Sequence, residues 1–212
     1  MKLIYISNTR MPTELAHGLQ VMQMCEAFSK KGLEVELLVP GRVNKIKEDP
    51  FFYYSINKIF TIKKIPCLDL ISYNNSSIFF LIQTFTFLFF SKIYLLFKKY
   101  DILYTREQLA SLFYKNIVLE IHALPKIIRS FHIKIWKIAK MLVVLTPFIK
   151  DKIVSQNISA NKIIVSPDAV NIEKFDINLS KNEAREKLKL PKDKKLVGYV
   201  GMLKTVGMEK GV

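Results

Sequence analysis

Apolar and polar positions at the start of the chain follow the order strand, loop, helix, strand. A short apolar run at residues 2–6 is followed by a polar loop from Ser7 to His17. From Gly18 onwards, apolar residues recur every three or four positions, as they do along one face of a helix. These residues are Val21, Met22, Cys25 and Phe28. Gly32 then predicts the end of the helix, and the alternation of apolar and charged residues over 33–39 predicts a second strand.

A strand–helix–strand unit predicts a parallel sheet whose faces are covered by helices. Ligands of such sheets bind beyond the carboxyl ends of the strands, where the loop Ser7–His17 lies. The loop leads into a helix N-terminus, whose free N–H groups and dipole attract phosphates above all. It has no glycine before Gly18, which excludes the G-x-G-x-x-G motif of nicotinamide and flavin sites. The chain also has no G-x-x-x-x-G-K-[ST] motif.

The same pattern continues along the chain. Strands are predicted at 59–62, 101–105, 117–121, 141–145, 163–165 and 196–201. Helices are predicted at 77–99, 108–115 and 126–140, and after Thr146 as N-cap with Pro147 at the first helical position. A polar connection at 176–195 contains a capping box, formed by Ser180 and Glu183. The predicted fold class is α/β, a Rossmann-like parallel sheet flanked by helices.

The predicted helix 77–99 allows two interpretations. Its uninterrupted apolar part is shorter than the ~20 residues that span a bilayer, and Lys92 interrupts it. It is either a core helix under the sheet, or a helix with one core face and one aromatic, lysine-edged face on a membrane surface. We favour the core helix, because buried helices of α/β domains are often this apolar.

The chain is strongly basic, with 33 Lys and Arg against 18 Asp and Glu in 212 residues and a net charge of +15. This excess favours anionic partners such as phosphates, acidic lipids or nucleic acid. Because the lysines are spread along the chain, general composition explains the excess equally well. Cys25 and Cys67 have no metal-binding or redox spacing, and the N-terminus does not resemble a secretory signal, so a reduced, cytoplasmic protein is predicted.

Two predicted strands end in side chains that could carry chemistry. His122 follows the strand 117–121, and Glu120 lies two residues earlier, so both point to the same face. Glu120 could orient the imidazole or cap a helix, and His122 could equally be a loop histidine satisfied by the backbone. Arg106 and Glu107 follow another strand end. They could bind acceptor hydroxyls or phosphate, or pair with each other.

Five segments, in order, resemble the retaining GT-B glycosyltransferases known as group 1 or family 4. The first is the loop and helix start Arg10–Gln20. The others are D-I-L-Y-T-R-E at 101–107, V-L-E-I-H-A-L-P at 118–125, V-V-L-T at 143–146 and S-P-D-A-V-N-I-E-K-F at 166–175. The resemblance covers nearly the whole chain and is weakest over 41–99.

The resemblance implies an N-terminal, acceptor-side Rossmann-like domain at 1–175, followed at 176–212 by a linker and the truncated start of a donor-binding domain. It also implies transfer of a sugar, with retention, from a nucleotide-sugar donor to a glycan or lipid-linked acceptor. No cofactor, bound metal or nucleic-acid partner is expected. We expect the chain to be a fragment that is inactive alone.

Roles for the candidate residues follow from the same resemblance. His122 would lie in the active site and contact the donor sugar, with Glu120 orienting it. His17 and Gly18 would lie where the donor diphosphate approaches the first helix, although a tight loop-to-helix turn explains Gly18 as well. Arg10, Arg106 and Glu107 are candidates for acceptor binding.

The start of the second domain departs from the family pattern. The family usually has an arginine after the first glycine of this domain, and here Met202 follows Gly201 instead. Lys204 is a candidate for the lost cation, and Lys210 matches the lysine of the family's Lys-Gly pair; both would bind the donor diphosphate.

A second reading needs no catalysis: a Rossmann-like module that binds a phosphorylated or nucleic-acid ligand. A donor-binding domain encoded beyond Val212 would favour the enzyme. For the enzyme we predict that the loop 7–18, Arg106 and His122 surround one cleft at the carboxyl edge of the sheet. We also predict weak attachment to anionic membranes through the lysines and aromatics of 77–99 and 126–140.

Overall fold

Seven parallel strands form the central sheet. The computed structural model describes residues 1–72, 76–200, 204–205 and 208–209. The strands are β1 (Lys2–Ile6), β2 (Glu34–Pro40), β3 (Thr61–Ile65), β4 (Ile102–Thr105), β5 (Ile117–Ile121), β6 (Met141–Val144) and β7 (Ile163–Val165). Their order is β3-β2-β1-β4-β5-β6-β7, and every neighbouring pair is parallel. The predicted Rossmann-like fold class is confirmed, and the strand order reverses between β1 and β4, where such sheets open a ligand crevice.

Helices fill the crossovers of this sheet. They are α1 (Ala16–Lys30), α2 (Pro50–Tyr53), α3 (Ser77–Leu96), α4 (Ser130–Ile138) and α5 (Pro147–Val154), with 3-10 turns at Leu70–Ser72, Gln108–Leu112 and Ala160–Lys162. These elements belong to one compact unit, Met1–Asp168. The second unit, Ala169–Val212, contains α6 (Ile172–Phe175), α7 (Lys181–Lys187) and a two-residue antiparallel pair, β8 (Lys204–Thr205) with β9 (Met208–Glu209).

Alternation along β1 divides the core between the two faces of the sheet. Leu3 and Tyr5 pack in one cluster with the apolar face of α1. Ile4 and Ile6 pack in the other cluster, which includes Trp136 of α4. Successive residues of a strand point to opposite faces, so a single apolar run serves both clusters.

Most predicted boundaries are correct to within a few residues. Thr146 caps α5 by accepting a hydrogen bond from the Ile149 N–H at 3.2 Å, with Pro147 at the first helical position. Gly32 ends α1 with φ +84°, as its position predicts. The helix predicted at 126–140 begins only at Ser130, and the helix predicted at 108–115 is a shorter 3-10 turn.

The strand predicted at 196–201 is wrong over residues 196–200, which have no strand structure; Gly201 lies outside the described residues. Val197 and Val200 are fully exposed. A strand forms only by pairing, and within the described part of the chain these residues have no strand beside them.

The favoured interpretation of 77–99 as a core helix is also wrong. α3 is long and apolar enough to cross a membrane by length and composition, yet only about a third of it is buried. Its inward face packs against the sheet through Phe87 and Leu88, and its other face is open.

Candidate functional site

The candidate site lies at the carboxyl edge of the sheet, where β1 and β4 end side by side. A half-open pocket of about 300 Å³ is formed there. Its walls come from the loop after β1, the first turns of α1, the segment after β4 and the start of α3. The residues that line it are Ser7, Asn8, Thr9, His17, Val21, Phe80, Arg106 and Glu107. The pocket thus brings the first loop, His17, Arg106 and Glu107 together, whereas His122, which was predicted to share this cleft, is not among its lining residues.

Glu120 of β5 is the centre of a buried polar network beside this pocket. Its side chain is only 4% exposed, and it accepts hydrogen bonds from the Tyr104 hydroxyl at 2.8 Å and from Gln20 Nε2 at 3.1 Å. His122 Nε2 donates a further, short hydrogen bond to Glu120 Oε1. Glu120 and His122 therefore lie on a common face, and the Glu120 carboxylate bonds the imidazole.

The network continues from Glu120 to Arg106 through α1. Gln20 donates to Glu120, and its own Oε1 accepts a hydrogen bond from Arg106 Nη1 at 2.5 Å. Arg106, Gln20, Glu120 and His122 thus form one chain of hydrogen bonds across the switch point of the sheet. The His122 side chain is 22% exposed, so a ligand can reach it.

The charge state of Glu120 follows from its partners. Burial alone would raise the pKa of Glu120, but hydrogen bonds from His122 and Tyr104 and the charge of Arg106 outweigh it. The pKa of Glu120 therefore lies below its ordinary value, and the group is a carboxylate at neutral pH.

Two other pocket residues have shifted pKa values. Burial, with a contribution from the Arg106 charge, lowers the pKa of His17, so this imidazole is neutral at pH 7. Burial raises the pKa of Glu107, against the opposing effects of the Asn8 N–H and the Arg106 charge. Glu107 accepts the hydrogen bond from Asn8 N at 3.1 Å, and Arg106 pairs with Gln20 rather than with Glu107.

Gly18 is explained by packing inside the protein. A Cβ atom at this position would lie 2.3 Å from the Tyr54 hydroxyl and 2.5 Å from Thr13 Cγ2. The Gly18 N–H donates to the Leu15 carbonyl at 3.0 Å. The tight turn into α1 is therefore sufficient to require glycine, and the role of Gly18 toward a diphosphate stays a prediction.

The remaining candidates are more peripheral. Arg10 forms an ion pair with Glu14 at 2.7 Å, so its guanidinium already has an acid partner. Lys204 lies in β8, in the second unit, and its side chain is not described. Lys210 lies outside the described residues.

Sequence reasoning missed three members of the network: Gln20, Tyr104, and Tyr5, whose hydroxyl donates to Glu120 Oε2 at 3.5 Å. Tyr5 and Tyr104 occupy apolar strand positions and stack edge to face with centroids 5.0 Å apart, so they are indistinguishable from core residues by pattern. Gln20 stands next to apolar Val21 and falls within the first resembling segment. A polar residue there, one turn into the helix that starts at the sheet edge, was the available signal.

Removing the charge of Glu120 should make the stability of the protein less dependent on pH. A carboxylate with a lowered pKa stabilises the fold above its ordinary pKa of 4.5, and this stabilisation is lost as the pH falls through the lowered value. We expect Glu120→Gln to cost about 2 kcal/mol in the free energy of unfolding at pH 7. The difference from wild type should shrink at pH 3 in urea titrations.

A control is Glu34→Gln, because Glu34 forms an exposed ion pair with Lys2. It should leave the stability nearly unchanged at both pH values. A Glu120→Gln difference that is constant from pH 7 to pH 3 would contradict an ionised Glu120.

Comparison with known proteins gives structural matches only: no protein-family model matches the chain, and no curated protein matches it in sequence. Anabaena HepE, solved in complex with UDP-glucose, aligns with a TM-score of 0.53 and 11% identity over 89% of this chain. Sucrose-phosphate synthase from Thermosynechococcus elongatus aligns with a TM-score of 0.57 and 14% identity over 91% of this chain. A glycosyltransferase from Rickettsia africae aligns with a TM-score of 0.55 and 18% identity over 91% of this chain.

The matches cover 50%, 53% and 50% of those three structures, so the chain spans about half the length of the proteins it resembles. Glycosyltransferases are among the structural neighbours, and so is a UDP-GlcNAc 2-epimerase from Methanocaldococcus jannaschii, with a TM-score of 0.54 and 18% identity over 78% of this chain. At these identities the likeness lies in the fold alone. The chain therefore has the fold of one half of a GT-B glycosyltransferase, as expected of an N-terminal domain.

Proposed function

We propose that this chain forms the acceptor-side half of a glycosyltransferase that moves a sugar, with retention, from a nucleotide-sugar donor to a glycan or lipid-linked acceptor. The observation that carries the proposal is the network Arg106–Gln20–Glu120–His122 at the carboxyl edge of a GT-B-like sheet. HepE, one of the structural neighbours, was solved with UDP-glucose, which supports a nucleotide sugar as the donor class.

The chemistry of retaining transfer suits this network. The transition state develops positive charge on the sugar ring and negative charge on the departing diphosphate. Because Glu120 accepts from Nε2, His122 has Nδ1 and its backbone carbonyl as groups that can meet a sugar. The carboxylate behind the imidazole also stabilises any positive charge that the ring gains.

The pocket beside the network suits an acceptor hydroxyl or a phosphate. Arg106 supplies the cation, and His17 is neutral at pH 7 and can donate or accept a hydrogen bond. Glu107 is the carboxyl that lines this pocket, and burial raises its pKa, so it is a candidate to exchange a proton with an acceptor hydroxyl. No protein-bound metal or cofactor is proposed for these steps.

Sugar transfer can be tested on the whole product of the gene. The protein is incubated with a panel of radiolabelled nucleotide sugars, together with lipid extracts or soluble glycans as acceptors. Product formation with the anomeric configuration of the donor, assigned by NMR, supports the proposal. A product of inverted configuration refutes retention, and binding of nucleotide sugars without any turnover supports a binding module instead.

Replacing His122 by alanine should lower kcat of the whole gene product about a hundredfold, because a positioned imidazole is lost from the reacting centre. The matched control is His132→Ala. His132 serves the start of α4, where its Nδ1 accepts the Arg129 N–H at 3.0 Å. Equal activities of the two variants would remove His122 from the active site.

A further inference from the structure

The outward face of α3 is a continuous apolar row. Its members recur at spacings of three and four residues and are between 39% and 73% exposed. They are Ile78, Leu81, Phe85, Phe89, Ile93 and Leu96. Lys92 flanks the row near the C-terminal end of the helix. This row is the largest set of exposed aromatic and aliphatic side chains on any one described helix, and contiguous patches of this kind mark interaction sites.

The inward face of α3 is unusually polar. Gln83, Thr84 and Ser91 are buried there. Gln83 Nε2 donates to Asn8 Oδ1 at 2.9 Å, and Asn8 Nδ2 donates to Thr84 Oγ1 at 2.8 Å. Phe87, Leu88 and Leu95 are buried on the same face, so it is the outward face that departs from a helix that faces water, because it is apolar where such a helix is polar. These hydrogen bonds fix which face of α3 points outward, so the apolar row is held in its exposed position.

Positive charge accompanies the apolar row. Residues 70–100 contain no Asp or Glu, and the exposed Lys92 and Lys99 lie at the C-terminal end of the helix. A shallow groove of about 420 Å³ at this end is lined by Lys92 and Lys115, together with Leu96, Tyr100 and Phe113. The two lysine ammonium groups suit the phosphate of a lipid, and the apolar lining suits the acyl chains of the same lipid.

We propose that α3 lies flat on a membrane surface that contains acidic phospholipids. The apolar row enters the boundary between headgroups and acyl chains, while Lys92 and Lys115 contact lipid phosphates. The surface is independent of sugar transfer. Phe80 of the same helix lines the pocket at the sheet edge, so binding of α3 to the membrane would hold that pocket close to the bilayer.

Two other occupants fit less well. A second copy of the chain would bring two net charges of +15 together, and their repulsion opposes association. A transmembrane position would remove α3 from the crossover between β3 and β4. It would also break the hydrogen bonds of Gln83 and Thr84 with Asn8 in an apolar medium.

Vesicle co-sedimentation of the full chain tests the proposal. Wild type should bind vesicles of phosphatidylcholine with phosphatidylglycerol, release at high salt, and bind pure phosphatidylcholine weakly. The apolar variant Phe89→Ser with Ile93→Ser should reduce binding at least about tenfold. The charge variant Lys92→Gln with Lys115→Gln should reduce it about tenfold at low salt only.

Matched controls change the same chemistry elsewhere. Val43→Ser with Phe52→Ser removes two exposed apolar side chains, and Lys45→Gln with Lys47→Gln removes two exposed charges. Both should bind as wild type does. Circular dichroism confirms that all variants are folded before the comparison.

Several outcomes would overturn the proposal. One is an equal loss of vesicle binding in the apolar variant and in its control. Another is binding that does not depend on lipid charge or salt. A third is retention in the membrane after alkaline carbonate extraction, which indicates a helix that spans the bilayer. A dimer in analytical ultracentrifugation that becomes a monomer on Phe89→Ser with Ile93→Ser would assign the face to a second copy instead.

Discussion

We expect the 212-residue chain, purified by itself, to transfer no sugar. The proposed function makes this chain the acceptor-side half of the enzyme and leaves the donor nucleotide to a second half, and the chain covers only about half of the structures it matches. Correct orientation of reactants can account for roughly 7–11 kcal/mol of a barrier. Without the groups that orient the donor, turnover should fall below detection in an assay with a panel of nucleotide sugars and lipid or glycan acceptors.

The positive control is a full-length GT-B glycosyltransferase of known activity, assayed in parallel with its own donor and acceptor. The isolated chain should still be folded by circular dichroism and should still bind inorganic pyrophosphate weakly, through Arg106 and the pocket beside it. Sustained transfer by the chain alone, beyond one product per molecule, would show that its own residues orient the donor and that a second domain is not required.

The fold could be predicted from the sequence because its strands and helices carry strong local signals. The strand 117–121 was predicted at its observed bounds, and Thr146 with Pro147 marks the start of α5 through backbone chemistry alone. The order of these elements along the chain supported the resemblance. The chain runs from β1 through α1 to β2, and two strands of one sheet that are joined through a helix run parallel.

The polar network was only half predictable. Glu120 and His122 share a face because they are two residues apart on a strand, which is local geometry. Gln20 reaches Glu120 through the packing of α1 on the sheet, and Tyr104 reaches it because β4 and β5 pair side by side. No sequence spacing encodes either contact. The sequence pattern around these residues indicates only that they are buried. Their hydrogen bonds depend on the tertiary structure.

The burial of α3 was the largest error, because the helix was predicted to lie in the core and only about a third of it is buried. Its apolar residues are so numerous that periodicity does not select one face, and composition alone favoured the core. The rarer polar residues hold the information. Gln83, Thr84 and Ser91 lie on one side of the helix, and that side is the buried one because Asn8 bonds two of them.

Replacing Gly18 by alanine should destabilise the chain by about 3–5 kcal/mol. The new methyl group would lie 2.3 Å from the Tyr54 hydroxyl and 2.5 Å from Thr13 Cγ2, so both must move. The Tyr54 hydroxyl accepts from Thr13 N at 2.7 Å and donates to Thr13 O at 2.6 Å. Overpacking costs about 1–3 kcal/mol, and each lost hydrogen bond adds about 1 kcal/mol. Urea denaturation of the wild type and the variant measures the sum.

A double-mutant cycle with Tyr54→Phe separates the steric cause from helix propensity. Removing the hydroxyl relieves the closest contact, so Gly18→Ala should cost at least about 1 kcal/mol less in the Tyr54→Phe background. Gly198→Ala is the matched control, because a Cβ atom there meets no atom within 4 Å. If Gly18→Ala instead stabilises the protein, as alanine does at an unstrained helical position, Tyr54 is not held against α1 and the turn is not the reason for this glycine.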